Sequence, residues 1–284
     1  WFTDIPSVIE EMTRMRIDLI GMSFTAQHSD ARVLDQIIYK WDHSREIVDG
    51  DLLELQDEIG CLTLSPIAEM ADPGDINCYR YRHFRDYLTS RVDDFDHVML
   101  SDARDVIFQR DISRYPFAPD ADLFLAEEEK LIGDCPINSG WILDLYGPVH
   151  LEDLKQRPIL CSGTTLGSPP AMLRYLDAMI EQVETFDAEF RRRFGHLGGI
   201  DQGMHNGLYH MGLLPGLRMR PVPNSENMVY TVGHVAHDDS ERPFLDGEGR
   251  FINQHGELCY CVHQFDRLDV EVRDAFNRTA RYAI

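Results

Sequence analysis

Phe95-Asp96-His97-Val98-Met99-Leu100-Ser101-Asp102-Ala103-Arg104-Asp105-Val106-Ile107-Phe108-Gln109 runs an apolar triplet straight into two carboxylates, with a second apolar run behind them. Val98-Met99-Leu100 predicts a short buried strand or, at that length, a turn of buried helix. As a strand it places Asp102 and Asp105 at its carboxyl end, where open α/β sheets hold their ligands. Two oxygen donors there suit a hard divalent cation, Mg²⁺ or Mn²⁺, that itself holds a diphosphate. The alternative is a polar turn between two strands, with Arg104 paired to its neighbours on the surface.

Outward from that stretch, strand and helix patterns alternate. Upstream, Tyr81, Phe84, Leu88 and Val92 recur at helical spacing and predict an amphipathic helix over 77–91, with Arg82 and Arg85 on its other face. Further back, 16–25 reads as a first strand, 31–41 as a helix and 61–64 as a short strand. Downstream come apolar runs at 122–126, 137–143 and 158–161. Ser168 and Pro169 then open a helix whose stripe of Met172, Leu173, Leu176, Met179, Ile180 and Val183 reads as core. Such alternation argues for an α/β sheet with parallel strands. The charged, Gly-containing segment 238–256 reads as an exposed loop able to close over a ligand. Cys161 to Ser168 reads as a small-residue loop entering a helix; it lacks the Lys of a P-loop.

Composition narrows the partners. The 284 residues are 43% hydrophobic, enough for a large core, and carry 49 acidic against 27 basic side chains, a net charge of −22. That field repels phosphate backbones and anionic lipid, which argues against nucleic acid and membrane surfaces. No apolar run is long enough for a transmembrane segment, and the opening residues do not read as a signal peptide. The chain opens at Trp1 rather than Met, and we expect it to be one domain of a larger protein. Six scattered cysteines fit a reducing, cytoplasmic setting, with the Golgi lumen as the alternative. Cys259 and Cys261 have the wrong spacing for a zinc knuckle, although strand alternation would put both on one face. Asn277-Arg278-Thr279 is a single sequon of the kind chance supplies.

Four clusters, in order along the chain, resemble the GT-A-fold glycosyltransferases, above all the retaining families eight and seventy-seven. The first is the acidic motif itself, which carries Asp-x-x-Asp where those families read Asp-x-Asp; the residues after Asp105 match best. Ile137-Asn138-Ser139-Gly140-Trp141-Ile142-Leu143 is similar to the segment that lines the donor sugar, although alone it also reads as an Asn turn before a buried strand. Asp201-Gln202-Gly203-Met204-His205-Asn206 resembles Asp-Gln-Asp-x-x-Asn, with Gly203 in place of the middle acid; it also reads as a helix start capped by Asp201. Cys259-Tyr260-Cys261-Val262-His263-Gln264 resembles the segment with a late metal-ligating His. A softer likeness is the Tyr-x-Arg helix at 78–85, where Arg82 is preferred over Arg80 or Arg85.

The resemblance implies a GT-A (Rossmann-like) mixed, mostly parallel central sheet flanked by helices, in a single domain. Its nucleotide-binding part would cover about 16–112, its acceptor and sugar part 113–263, and its tail 264–284. It implies transfer of a sugar from a nucleoside-diphosphate sugar, a UDP-sugar first, to a hydroxyl of a glycan acceptor, as in polysaccharide biosynthesis. Mn²⁺ or Mg²⁺ would be held by Asp102, Asp105 and His263. Arg82, Asp102, Asn138 and Gly140 would bind the donor, and Asp201 and Gln202 would orient and stabilise the reacting sugar, with retention of configuration. An inverting enzyme would need a carboxylate base on the acceptor side, which Glu127, Glu128 or Glu129 offers. The rival readings are a nucleotidyltransferase or nucleotide-sugar hydrolase on a similar scaffold, and a non-catalytic carbohydrate-binding domain.

Overall fold

The computed structural model describes residues 76–102, 105–194, 197, 199–233 and 243–268, all within one unit spanning Glu69–Ile284. The strands and helix expected at 16–25, 31–41 and 61–64 lie outside the described residues, as do the sequon and most of the tail.

The expected amphipathic helix is α1, Ile76–Thr89, which buries Cys78, Tyr81 and Leu88. Strands β1 (Val98–Ser101), β2 (Val106–Phe108) and β3 (Leu123–Leu131) follow, then α2 (Pro136–Leu154), β4 (Pro158–Gly167) and α3 (Pro169–Phe194). The chain continues through α4 (Asp201–His210), β5 (Met219–Val222), β6 (Val229–Thr231) and β7 (Cys261–His263). Ser168 O accepts the Met172 N–H at 2.9 Å as α3 begins. The apolar stripe of α3 is core, as its spacing predicts: Met172, Leu176, Met179, Ile180 and Val183 are buried against Tyr81 of α1 and Met204 of α4, while Leu173 is partly buried at the edge. Each large side chain so buried contributes roughly 1.5–3 kcal/mol.

The described strands form two small mixed sheets. One has the order β1-β4-β3-β5 and the other β2-β7-β6. Among them β1–β4, β3–β4 and β2–β7 are antiparallel, whereas β3–β5 and β6–β7 are parallel. This differs from the mostly parallel sheet the resemblance implies. Between the antiparallel strands β3 and β4 lies α2, which kinks at Gly147 (φ 83°) and Pro148.

Four local readings are corrected. Residues 137–143 are the opening turns of α2, because Pro136 at the helix start fixes φ for a helix. The small-residue segment from Cys161 is strand β4, not a loop, because its backbone pairs with β1 and β3 on both sides. The described part of 238–256 is pinned to the body of the protein: Gln109 Nε2 donates to Phe251 O at 2.9 Å, and Gln109 Oε1 accepts the Phe251 N–H at 2.9 Å. Cys259 and Cys261 enter different apolar clusters and so do not share a face.

Candidate functional site

The short β1–β2 connection crosses from one sheet to the other, and the crossing builds the site. Asp102 leaves β1 with its N–H donating to Gly163 O on β4 at 2.9 Å. Asp105 leads into β2, whose register sets Val106 opposite His263 on β7. The Gln264 N–H donates to Asp105 O at 2.8 Å and closes the same corner. His263 Nε2 therefore lies 3.6 Å from Asp102 Oδ2 and 3.7 Å from Asp105 Oδ1. One ligand atom from each of the three residues falls within 4.8 Å of the others.

The residues fit a divalent cation on the protein's own evidence. His263 Nε2 is buried without a hydrogen-bond partner. Its other nitrogen, Nδ1, lies 3.2 Å from Cys161 Sγ, which leaves Nε2 as the one turned toward the acids. Such an anchored outer nitrogen is the usual companion of a metal-ligating His. The wall beside it is bare, because a Cβ on Gly163 would stand 2.6 Å from Asp102 Oδ2 and 2.8 Å from His263 Nε2. Two carboxylates and an imidazole suit Mn²⁺ or Mg²⁺. Burial alone would raise the Asp102 carboxyl, but His263 and the Arg80 guanidinium outweigh it and hold Asp102 well below the usual carboxylate range. Burial likewise disfavours a charged His263, and the Cys161 sulfur and the two Asp carboxylates outweigh it, raising its pKa well above the ordinary value.

The triad opens into a cleft of about 650 Å³ whose lining includes Arg80, Asp102, Glu128, Asn138, Asp201, Gln202 and His263. Arg80 joins its two acidic sides: Nη1 bonds Asp102 Oδ1, and Nη2 lies 3.1 Å from Asp201 Oδ2. Asp201 Oδ2 also accepts from Tyr81 Oη at 3.1 Å and from Ser162 Oγ at 3.4 Å. Burial pushes the Asp201 carboxyl up, against the pull of Arg80. Asp201 makes no capping bond at the start of α4; its side chain turns into this network instead.

Arg82 is not brought to the site. It pairs with Glu184 at 2.9 Å on the exposed face of α1, and Arg80 occupies the place expected for it. Both flank the buried Tyr81 by 100° of helix rotation, so periodicity alone cannot choose between them. Asn138 does line the cleft, buried, with Nδ2 donating to Cys135 Sγ at 3.3 Å. Gly140 does not line it, and a Cβ there would meet nothing within 4 Å, so no close approach demands glycine. At Gly203 an acid would not fit: a Cβ would stand 2.8 Å from Trp141 Cβ where α4 packs on α2. Asn206 is structural, since Oδ1 accepts the Leu160 N–H at 2.8 Å while Nδ2 donates to Leu160 O at 2.9 Å, tying α4 to β4.

Sequence reasoning did not place Cys161, Gly163 or Gln264 beside Asp102, Asp105 and His263. Gln264 is buried in the left-handed region (φ 63°), a conformation that costs energy in any residue but glycine and clusters at functional sites. No signal in the sequence marks that strain. No protein-family model and no curated protein matches this chain, so its functional reading rests on these residues and their geometry.

Proposed function

We propose that this chain is a metal-dependent glycosyltransferase of GT-A type. It would move a sugar from a nucleoside-diphosphate sugar, a UDP-sugar first, to a hydroxyl of a glycan or other acceptor. One observation carries the reading: Asp102 and Asp105 meet the distant His263, and Asp102 and His263 line a cleft that also holds Asn138, Asp201 and Gln202. Those same residues are singled out, in the same order, by the likeness to families eight and seventy-seven.

Asp102, Asp105 and His263 would hold the cation, which when bound neutralises the diphosphate and the charge that develops on it as it leaves. The protein's own residues account for the rest. Lys130 and Arg267 line the same cleft and place two further cations near an anionic donor, in a chain whose net charge is −22. Arg80 sets the direction of the Asp102 carboxylate. Asn138 offers an amide that both donates to and accepts from sugar hydroxyls. Trp141 gives the cleft an aromatic wall.

A thermal-shift panel of UDP-sugars with and without Mn²⁺ tests the reading, because a ligand that binds the native state raises its apparent stability. Mn²⁺-dependent stabilisation by a UDP-sugar is expected. Indifference to both UDP-sugars and Mn²⁺ would favour a plain carbohydrate-binding domain.

A further inference from the structure

Gln202, which the family resemblance sets beside the reacting sugar, uses its amide within the protein. Its Oε1 accepts the Ser162 N–H at 2.7 Å, and its Nε2 donates to Glu128 Oε1 at 3.1 Å. Gln264 Nε2 donates to the same Glu128 oxygen at 3.5 Å. Glu128 Oε2 carries no hydrogen bond among the described residues. Gln264 Oε1 is buried, also without a partner among them. Gly233 leaves room for that oxygen, since a Cβ there would stand 1.8 Å from it. Glu128, Gln202, Gly233 and Gln264 all line the cleft.

The amide donors of Gln202 and Gln264 thus both turn to Glu128, and what is left open is two oxygens, one of them on a carboxylate. Such atoms only accept hydrogen bonds, so their complement is a hydroxyl. A buried acceptor left unmade is costly, which points to a ligand that supplies the missing donor. A ligand carboxylate would meet acceptors and a like charge instead. The subsite adjoins the metal corner: Gln264 follows His263 directly, and Ser162, which holds Gln202, precedes Gly163, whose bare α-carbon faces Asp102 and His263. The group next to a diphosphate bound at that corner is the sugar it carries.

We infer that Glu128 and Gln264 determine donor specificity, and that the transferred sugar is a neutral one that presents hydroxyls to them, not a hexuronate. This rests on the glycosyltransferase reading above and deepens it. Discrimination comes from repulsion of the wrong sugar as much as from bonds to the right one. A hexuronate bound there would need Lys130 or Arg267 to offset Glu128.

The test is calorimetric titration of the full chain, with saturating Mn²⁺, against UDP and two pairs of UDP-sugars. The pairs are UDP-glucose with UDP-glucuronate and UDP-galactose with UDP-galacturonate, whose members differ only at C6. In at least one pair the neutral member should bind ~10-fold or more tighter than the hexuronate. Glu128→Gln should shrink that ratio by a similar factor and leave the affinity for UDP unchanged. Gly233→Ala displaces only the end of the Gln264 side chain, so the variant should fold. It should weaken the neutral UDP-sugar roughly 2–10-fold and leave UDP unaffected. A hexuronate that binds as tightly as its neutral partner in both pairs overturns the inference, as does an unchanged ratio in Glu128→Gln. Wild-type affinities in Gly233→Ala overturn the part given to Gln264. A wild-type protein that binds no UDP with Mn²⁺ overturns the glycosyltransferase reading itself, so the UDP arm tells the two failures apart.

Discussion

Gly163 turns its bare α-carbon toward Asp102, and a Cβ at that position would stand 2.6 Å from Asp102 Oδ2. Asp102 can shift its carboxylate, but His263, almost wholly buried and anchored through Nδ1, cannot follow it easily. Gly163→Ala should therefore weaken Mn²⁺ binding by at least ~10-fold, at a stability cost of about 1–3 kcal/mol, as for other overpacked sites. Manganese titration followed by electron paramagnetic resonance reads the free ion directly. Wild-type affinity in the variant would mean that the metal does not occupy the space this glycine leaves.

Among the described residues Arg80 is the one that pairs with carboxylates on both acidic sides of the cleft, and its removal takes the described cation from the buried Asp201 carboxylate. We expect Arg80→Ala to cost about 3–5 kcal/mol, the usual penalty for breaking a buried pair from one side. Arg82→Ala, which loses only an exposed pair with Glu184, should stay within about 0.5 kcal/mol. Arg80→Lys should rescue little, since an ammonium lacks the fork that spans two carboxylates. Urea unfolding of the three variants gives the comparison; equal losses for Arg80→Ala and Arg82→Ala would contradict the network described.

His205 is fully buried against Tyr175, whose Oη lies 2.7 Å from His205 Nδ1, and burial lowers its pKa from 6.5 to about 3. A depressed folded-state pKa stabilises above the unfolded value and ceases to do so as pH falls. Below pH 6.5 the unfolded chain takes up a proton that the folded protein refuses, and stability drops by about 1.4 kcal/mol per pH unit until pH nears 3. Between pH 7.5 and pH 5 the wild type should lose about 2 kcal/mol more than His205→Gln. Parallel denaturation curves at the two pH values check this. Equal losses would show that His205 is not held neutral by the fold.

Much of the site was legible because its parts are short-range signals that end on strands. The acids follow an apolar triplet, His263 follows another, and Asp201 and Gln202 open a helix, so each could be read where it stands. Their meeting depends on long-range contacts: the Val106–His263 register, the Asp102–Gly163 backbone bond and the crossing between two sheets. Local pattern does not encode that register, nor the antiparallel return of β4 after the kink in α2. The choice of Arg82 over Arg80 failed for a related reason, since both lie at the same angle to the buried face of α1. Glu128 stood among three consecutive glutamates, and strand alternation turns only one of them, together with Lys130, into the cleft.

The central claim is that Asp105 and His263 hold a metal which in turn holds a nucleotide. The most direct measurement is calorimetric titration of UDP into the protein with saturating Mn²⁺, compared with the same titration in EDTA. It is repeated on Asp105→Ala and His263→Ala, with circular dichroism to establish that both variants fold. UDP should bind the wild type only when Mn²⁺ is present, and neither folded variant should bind it measurably. If both variants bind UDP with Mn²⁺ as well as the wild type does, the metal and nucleotide lie elsewhere, and neither Asp105 nor His263 is a metal ligand.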